Sequence, residues 1–61
     1  MTIQTKMREL RLNAGLSIVA MSRVINLDPA YLAQVETEFL PVNQRVIKLY
    51  CEAVGLEYEA F

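Results

Sequence analysis

The stretch SIVAMSRVINLDPAYLAQVE, residues 17–36, decides the fold of this chain. Ser17 can cap a helix that runs over Ile18–Ile25, and Asn26 can adopt the left-handed conformation that ends it. Asp28-Pro29 then starts a second helix. The Asp28 carboxylate can cap this helix, and proline is tolerated at the first helical position because the N–H that it lacks would have no acceptor there. The stretch therefore predicts two short helices joined by a tight turn.

A further helix precedes this stretch. Its apolar positions recur at steps of four, three and four and so share one helical face: Ile3, Met7, Leu10 and Ala14. Gly15 can end this helix in the left-handed conformation, and Leu16 can pack back on it. We expect a close corner before Ser17.

The region after residue 36 predicts one more full helix and a closing turn. Asn43 is a candidate cap, and Gly55 is a candidate terminator. The apolar stripe between them comprises Ile47, Tyr50, Cys51 and Val54, which we expect in the core. Counting a last short helix within residues 57–61, the sequence predicts a single all-α domain of five helices over residues 1–61.

Composition excludes several classes of protein. The 61 residues are 54% hydrophobic with two Gly and two Pro, which is too apolar for a disordered chain. One Cys and no His leave no disulfide, no plausible metal site and no imidazole base, so we expect no cofactor and no enzyme. The longest apolar run, residues 18–21, is too short to span a membrane, and we expect a cytoplasmic protein.

Charge is unevenly distributed along the chain. The net charge is −1, an unusual balance for a protein that binds a polyanion. However, residues 1–23 carry four basic side chains and one acidic one, whereas residues 24–61 carry six acidic and two basic ones. The domain is therefore predicted to be basic in its N-terminal part, residues 1–23, and acidic in the remainder, residues 24–61.

The joint pattern of short motifs resembles the Cro/cI-type helix-turn-helix family, also called the xenobiotic-response-element (XRE) family. The matching motifs are MRELR at 7–11 with GLS at 15–17, YLAQVE at 31–36 and AVGL at 53–56. The resemblance implies a compact five-helix lambda-repressor-like DNA-binding domain with its helix-turn-helix at 17–36. It also implies a semi-buried salt bridge between Arg11 and Glu36 that holds the third helix in place.

The resemblance further implies that the third helix enters the DNA major groove. Gln34 can bond adenine, Tyr31 can reach a phosphate or a thymine methyl, and Ala30 can meet the same methyl. The DNA-binding set that the resemblance implies is Ser17, Pro29, Ala30, Tyr31, Gln34 and Thr37. Arg45 is added to this set because it can flank the groove and contact a phosphate. Arg23, Lys6 and Lys48 are further candidates of the same kind, and solvated surface charge is the alternative for each of these four basic residues.

This chain departs from the family pattern at several positions. Ile18 stands where the family often has Gln, and Glu38 and Phe39 stand where it favours a glycine and a basic residue. Apolar residues also occupy the loop and fourth-helix region that forms the two-fold contact in many members. We expect a homodimer interface there, formed by Phe39, Leu40, Val42 and Leu49.

Two functions follow as expectations. The first is a small DNA-binding transcriptional regulator, a repressor of phage or mobile-element type, that binds double-stranded DNA as a homodimer. The alternative is a protein–protein interaction module, an antirepressor or adaptor that retains the fold and docks a partner through Ile18, Val19 and Val24. A second alternative for Ile18 is that it packs beneath the third helix.

Overall fold

The computed structural model describes residues 2–61, and it contains four α-helices: α1 over Ile3–Asn13, α2 over Ile18–Ile25, α3 over Pro29–Glu36 and α4 over Gln44–Val54. No strand occurs within those residues. The predicted all-α class is confirmed, but the predicted fifth helix is wrong. In its place is a single 3-10 turn, Tyr58–Ala60. The N–H groups of Ala60 and Phe61 bond carbonyls three residues back, which is the pattern of a 3-10 turn.

A side chain caps the start of every α-helix in this part of the chain. Ser17 accepts the N–H of Ala20 at 3.0 Å, and Asp28 accepts that of Ala30 at 2.7 Å. Asn43 does the same for α4, and Thr2, which the sequence analysis did not identify, does so for α1. These contacts satisfy amide groups that the helix itself leaves without acceptors.

All four α-helices end in one backbone motif. A residue in the left-handed region lies directly after α2 and α4, at Asn26 and Gly55, and one residue later after α1 and α3, at Gly15 and Glu38. The following N–H then bonds the carbonyl five residues back, with donors at Leu16, Leu27, Phe39 and Leu56. Three of these apolar residues pack on the core, whereas Phe39 is 75% exposed. The end of α3 therefore departs from the other three.

The core lies where the four helices meet. It consists of Met7, Met21, Ile25, Leu32, Val35, Val46, Ile47, Tyr50 and Cys51. Burial raises the pKa of the Cys51 thiol, which favours its neutral form. The predicted stripe of α1 is only partly correct, because Ile3 and Ala14 are exposed. The inner face of α1 instead carries Met7 and Arg11, four residues apart.

The C-terminal turn is attached to α1 by Lys6. Its ammonium group donates a hydrogen bond to the Phe61 carbonyl oxygen and lies 4.6 Å from the centre of the Phe61 ring. Similarly, the Lys48 ammonium lies 5.2 Å from the centre of the Tyr58 ring. None of the helices within residues 2–61 is both long and apolar enough to cross a membrane.

Candidate nucleic-acid interface

The surface predicted to meet DNA is built on α2, α3 and the three residues between them. Asn26 takes φ 59° and turns the chain away from α2. Leu27 packs on the core, and its N–H bonds the Ser22 carbonyl at 3.0 Å. Asp28 then caps α3. The turn is therefore fixed by one left-handed residue, one apolar anchor and one cap.

The two sides of α3 differ in burial. Leu32, Val35 and Glu36 are buried. Of the predicted reading residues, Pro29, Ala30, Gln34 and Thr37 are exposed, and Tyr31 is half-buried. Three exposed residues thus lie on the solvent side of α3, the exposed Thr37 follows directly after the helix, and Tyr31 lies at the edge of this surface.

Two of these residues differ in their hydrogen-bonding capacity. The Gln34 side-chain amide bonds no residue within 2–61, so both its donor and its acceptor are available to a ligand. The Thr37 hydroxyl donates back to the Ala33 carbonyl at 2.9 Å, which leaves it only as an acceptor for other groups. Gln34 therefore has more hydrogen-bonding capacity available to a ligand than Thr37 has.

The buried end of α3 is held by an ion pair. Arg11 Nη2 lies 2.9 Å from Glu36 Oε1, and Arg11 Nε donates to Glu36 Oε2 at the same distance. The predicted Arg11 and Glu36 salt bridge is thus present as a bidentate pair. Its side chains are only 8% and 3% exposed, so solvent screens it little. The hydrogen bond to Glu36 raises the pKa of Arg11.

Sequence reasoning missed a third member of this cluster, because Tyr50 was expected only as core. Its hydroxyl donates a 2.6 Å hydrogen bond to Glu36 Oε2. Burial, reinforced by this bond, raises the pKa of Tyr50 well above its ordinary range. Arg11 Nη1 also donates to the Leu16 carbonyl at 2.9 Å. No buried side-chain nitrogen or oxygen within residues 2–61 lacks a partner, so the cluster is fully satisfied.

The start of α2 presents a second part of the predicted interface. The Ser17 hydroxyl accepts from Ala20, and the Ser17 carbonyl accepts from Met21 at 2.9 Å. The N–H groups of Ile18 and Val19 therefore have no acceptor within this helix. Exposed amides of this kind are suited to a phosphate oxygen.

Arg45 lies beside α3 across a shallow cavity of about 320 Å³. Tyr31 and Asp28 line the same cavity, so the structure brings Tyr31 and Arg45 to one surface. Among the other candidate phosphate contacts, Lys6 and Lys48 approach the aromatic rings described above. Arg23 is exposed in the last turn of α2.

An acidic side chain follows directly after α3. Glu38 is exposed and takes φ 67°, a conformation that costs a residue with a Cβ roughly 1–2 kcal/mol. Phe39, beside it, is the most exposed large apolar side chain of the described chain. A carboxylate at this point opposes the approach of a phosphate backbone.

The remaining apolar candidates divide by burial. Leu40, Val42 and Leu49 are half-buried and pack on the core, whereas Phe39 does not. Ile18 is half-buried and also packs on the core. Val19 and Val24 are exposed, at 48% and 59%.

The chemistry of the interface is that of hydrogen bonding and charge. Within residues 2–61 no group of three or more His, Cys, Asp or Glu side chains is arranged to hold a metal ion. The surface offers the Gln34 amide, the guanidinium groups of Arg45 and Arg23 and two helix amides, with Asp28 before α3 and Glu38 after it. Comparison with protein-family models, with curated proteins and with solved structures finds no match to this chain.

Proposed function

We propose that this chain is a small DNA-binding transcriptional regulator, in which α2 and α3 act as a helix-turn-helix of the Cro/cI (XRE) type in a lambda-repressor-like domain. The observation that carries the proposal is the asymmetry of α3. Its inner face is fixed by Arg11 and Tyr50 through Glu36, while its outer face presents Ala30, Gln34 and Thr37. A reading helix needs this combination of rigid support and open polar surface.

In this proposal α3 lies in the major groove, and Gln34 bonds an adenine edge through its amide. Ala30 and Tyr31 contact a thymine methyl, and Pro29 packs beside them. The Ser17 end of α2, with Thr37 and Arg45, contacts phosphates and sets the register. The protein needs no cofactor and catalyses no reaction, and it acts in the cytoplasm as a homodimer on a two-fold-symmetric site in double-stranded DNA.

The test is an anisotropy titration with labelled duplex DNA selected from a random pool, repeated over a series of salt concentrations. We expect Arg45→Ala to lower the slope of log K against log salt by about one, because one phosphate contact releases about one counterion. Arg45→Lys is the matched control and keeps the slope. Absence of binding to any duplex at low salt contradicts the proposal.

Gln34→Ala distinguishes the recognition of a base from the sequence-independent attraction between the protein and the DNA phosphates. We expect it to leave the salt slope unchanged and to reduce discrimination at one A·T base pair by about 1–3 kcal/mol. Equal losses on every DNA sequence contradict a reading role for Gln34.

A second candidate function is a protein–protein interaction module that keeps the fold and docks on another regulator. The exposure of Val19 and Val24, together with the acidic Glu38 beside α3, favours it. A crosslinked partner identified by mass spectrometry, and lost with Val19→Ser plus Val24→Ser, supports this function. Val19→Ser alone, which changes no side chain proposed to contact DNA, is expected to leave DNA binding intact if the first function holds.

A further inference from the structure

Three shallow cavities open around a single residue of α4, Leu49. One lies between Leu49 and Tyr31, and a second lies between Leu49 and Val24. The third, of about 440 Å³, runs along α4 between Arg45 and Glu52. The exposed edges of α2, α3 and α4 thus form one continuous face, here termed the Leu49 face.

The outer edge of α4 on this face has a regular pattern. Arg45, Leu49 and Glu52 follow one another at steps of four and three, so they form one stripe along the helix. Leu49 is half-buried, and the two charged residues are exposed. Neither Arg45 nor Glu52 forms an ion pair with any residue of the described chain. The stripe therefore has an apolar centre between two opposite charges that have no ionic partner.

Such a stripe is complementary to a second copy of itself. Arg45 and Glu52 lie about 5 Å on either side of the midpoint between residues 48 and 49, given a rise of about 1.5 Å per residue. A two-fold axis through that midpoint sets two α4 helices antiparallel. It then puts Arg45 of each copy opposite Glu52 of the other and brings the two copies of Leu49 together.

The neighbouring charge does not oppose this arrangement. The Lys48 ammonium lies against the Tyr58 ring, which draws it toward the C-terminal turn. The apolar side chains Val24 and Ala53 border the stripe and extend the surface that the contact covers. Leu40 and Val42 are half-buried like Leu49, but neither of them lines any of these three cavities.

We propose that the Leu49 face is a homodimer interface in which two α4 helices pack antiparallel, with Leu49 at the two-fold axis and two reciprocal Arg45–Glu52 ion pairs. The inference rests on the homodimer of the proposed function but not on DNA binding. Since a guanidinium group has five N–H donors, Arg45 can pair with Glu52 of the second copy and still donate to a phosphate. Of the predicted interface residues Phe39, Leu40, Val42 and Leu49, the proposed interface places only Leu49 at the centre of the contact. A contact of one helix and its borders is small, so the dimer dissociates readily.

The test is sedimentation equilibrium of the full chain without DNA, over protein concentrations from about 1 μM to about 1 mM. We expect reversible dimerisation that R45E weakens at least about tenfold, since the substitution turns both ion pairs into repulsions. E52R has the same effect for the same reason. The double variant R45E/E52R restores the dimer to within about threefold, because the pairs are re-formed with reversed polarity.

Mixing the two single variants gives the most specific test of the reciprocal ion pairs. R45E carries two acids on the stripe and E52R carries two bases, so each self-association is repulsive but the mixture forms two ion pairs. We expect a heterodimer as strong as the parent dimer. R8E, which changes the charge by the same amount on exposed α1 surface, is the matched control and leaves association unchanged.

Three results would overturn the proposed interface. A chain that stays monomeric at every concentration overturns the interface, as does a dimer that R45E and R8E affect equally. A mixture of R45E and E52R that fails to associate also overturns it. Because this experiment contains no DNA, a negative result does not decide whether the chain binds DNA. In the same way, a chain that binds no DNA can still form the proposed dimer.

Discussion

The Tyr50 hydroxyl donates a 2.6 Å hydrogen bond to the same Glu36 oxygen that accepts from Arg11 Nε. This one carboxylate oxygen therefore joins α1, α3 and α4. Since Arg11 also bonds the Leu16 carbonyl, the corner between α1 and α2 belongs to the same network. The network fixes the end of α3 relative to the rest of the domain.

Removing the guanidinium group from this network is expected to destabilise the folded chain strongly. Arg11→Met leaves Glu36 buried without its counter-ion and should lower the free energy of unfolding by about 3–5 kcal/mol. A chain of this size has about 3–9 kcal/mol in total, so the variant is partly unfolded. Urea unfolding followed by circular dichroism measures the change.

A triple variant provides the control for Arg11→Met. Replacing Arg11, Glu36 and Tyr50 with Met, Leu and Phe removes every charge and donor of the network, and we expect it to be more stable than Arg11→Met alone. A loss below about 1 kcal/mol in the single variant contradicts a buried ion pair.

Tyr50→Phe removes only the hydroxyl. We expect a loss of about 1.5 kcal/mol at neutral pH, because the bond ends on a charged acceptor. The raised pKa of Tyr50 means that the folded chain keeps this proton at a pH where the unfolded chain has released it. Its contribution is complete below about pH 10 and then falls by up to about 1.4 kcal/mol per pH unit. Stability curves of both proteins from pH 8 to pH 11 should converge at the alkaline end; parallel curves contradict the assignment.

Glu38→Gly tests the backbone strain at the end of α3. Glycine adopts the observed φ of 67° without steric cost, so we expect a gain of about 1 kcal/mol in the free energy of unfolding. Glu38→Ala removes the same carboxylate but keeps a Cβ in the left-handed region. Its stability should therefore stay near that of the parent chain, and an equal gain in both variants would assign the effect to charge instead.

Ile18 and Val19 are adjacent residues of α2 with different surroundings. Ile18 packs on the core, and Ile18→Ala should cost about 1–2 kcal/mol of stability. Val19 is 48% exposed, and Val19→Ala should change stability by less than about 0.5 kcal/mol. Thermal unfolding of the pair checks this, and equal losses contradict the burial of Ile18.

The sequence by itself determined the local elements. Ser17, Asp28 and Asn43 cap their helices and Gly15, Asn26 and Gly55 end them, because capping and left-handed backbone depend on side chains within a few residues. The apolar period likewise identified Ile47, Tyr50 and Cys51 as core. Glu38 escaped prediction as a terminator, since glutamate has no preference for the left-handed conformation.

Only the tertiary structure decided which side chains meet across helices. Tyr50 has the period of a core residue, and nothing within its own helix indicates that its hydroxyl reaches Glu36, fourteen residues away. Similarly, Leu40 and Leu49 have the same chemistry, yet only Leu49 lies at the centre of an open face. These contacts depend on how the helices pack against one another. Helix packing is decided by side chains that are far apart in the sequence, so no local pattern of residues predicts it.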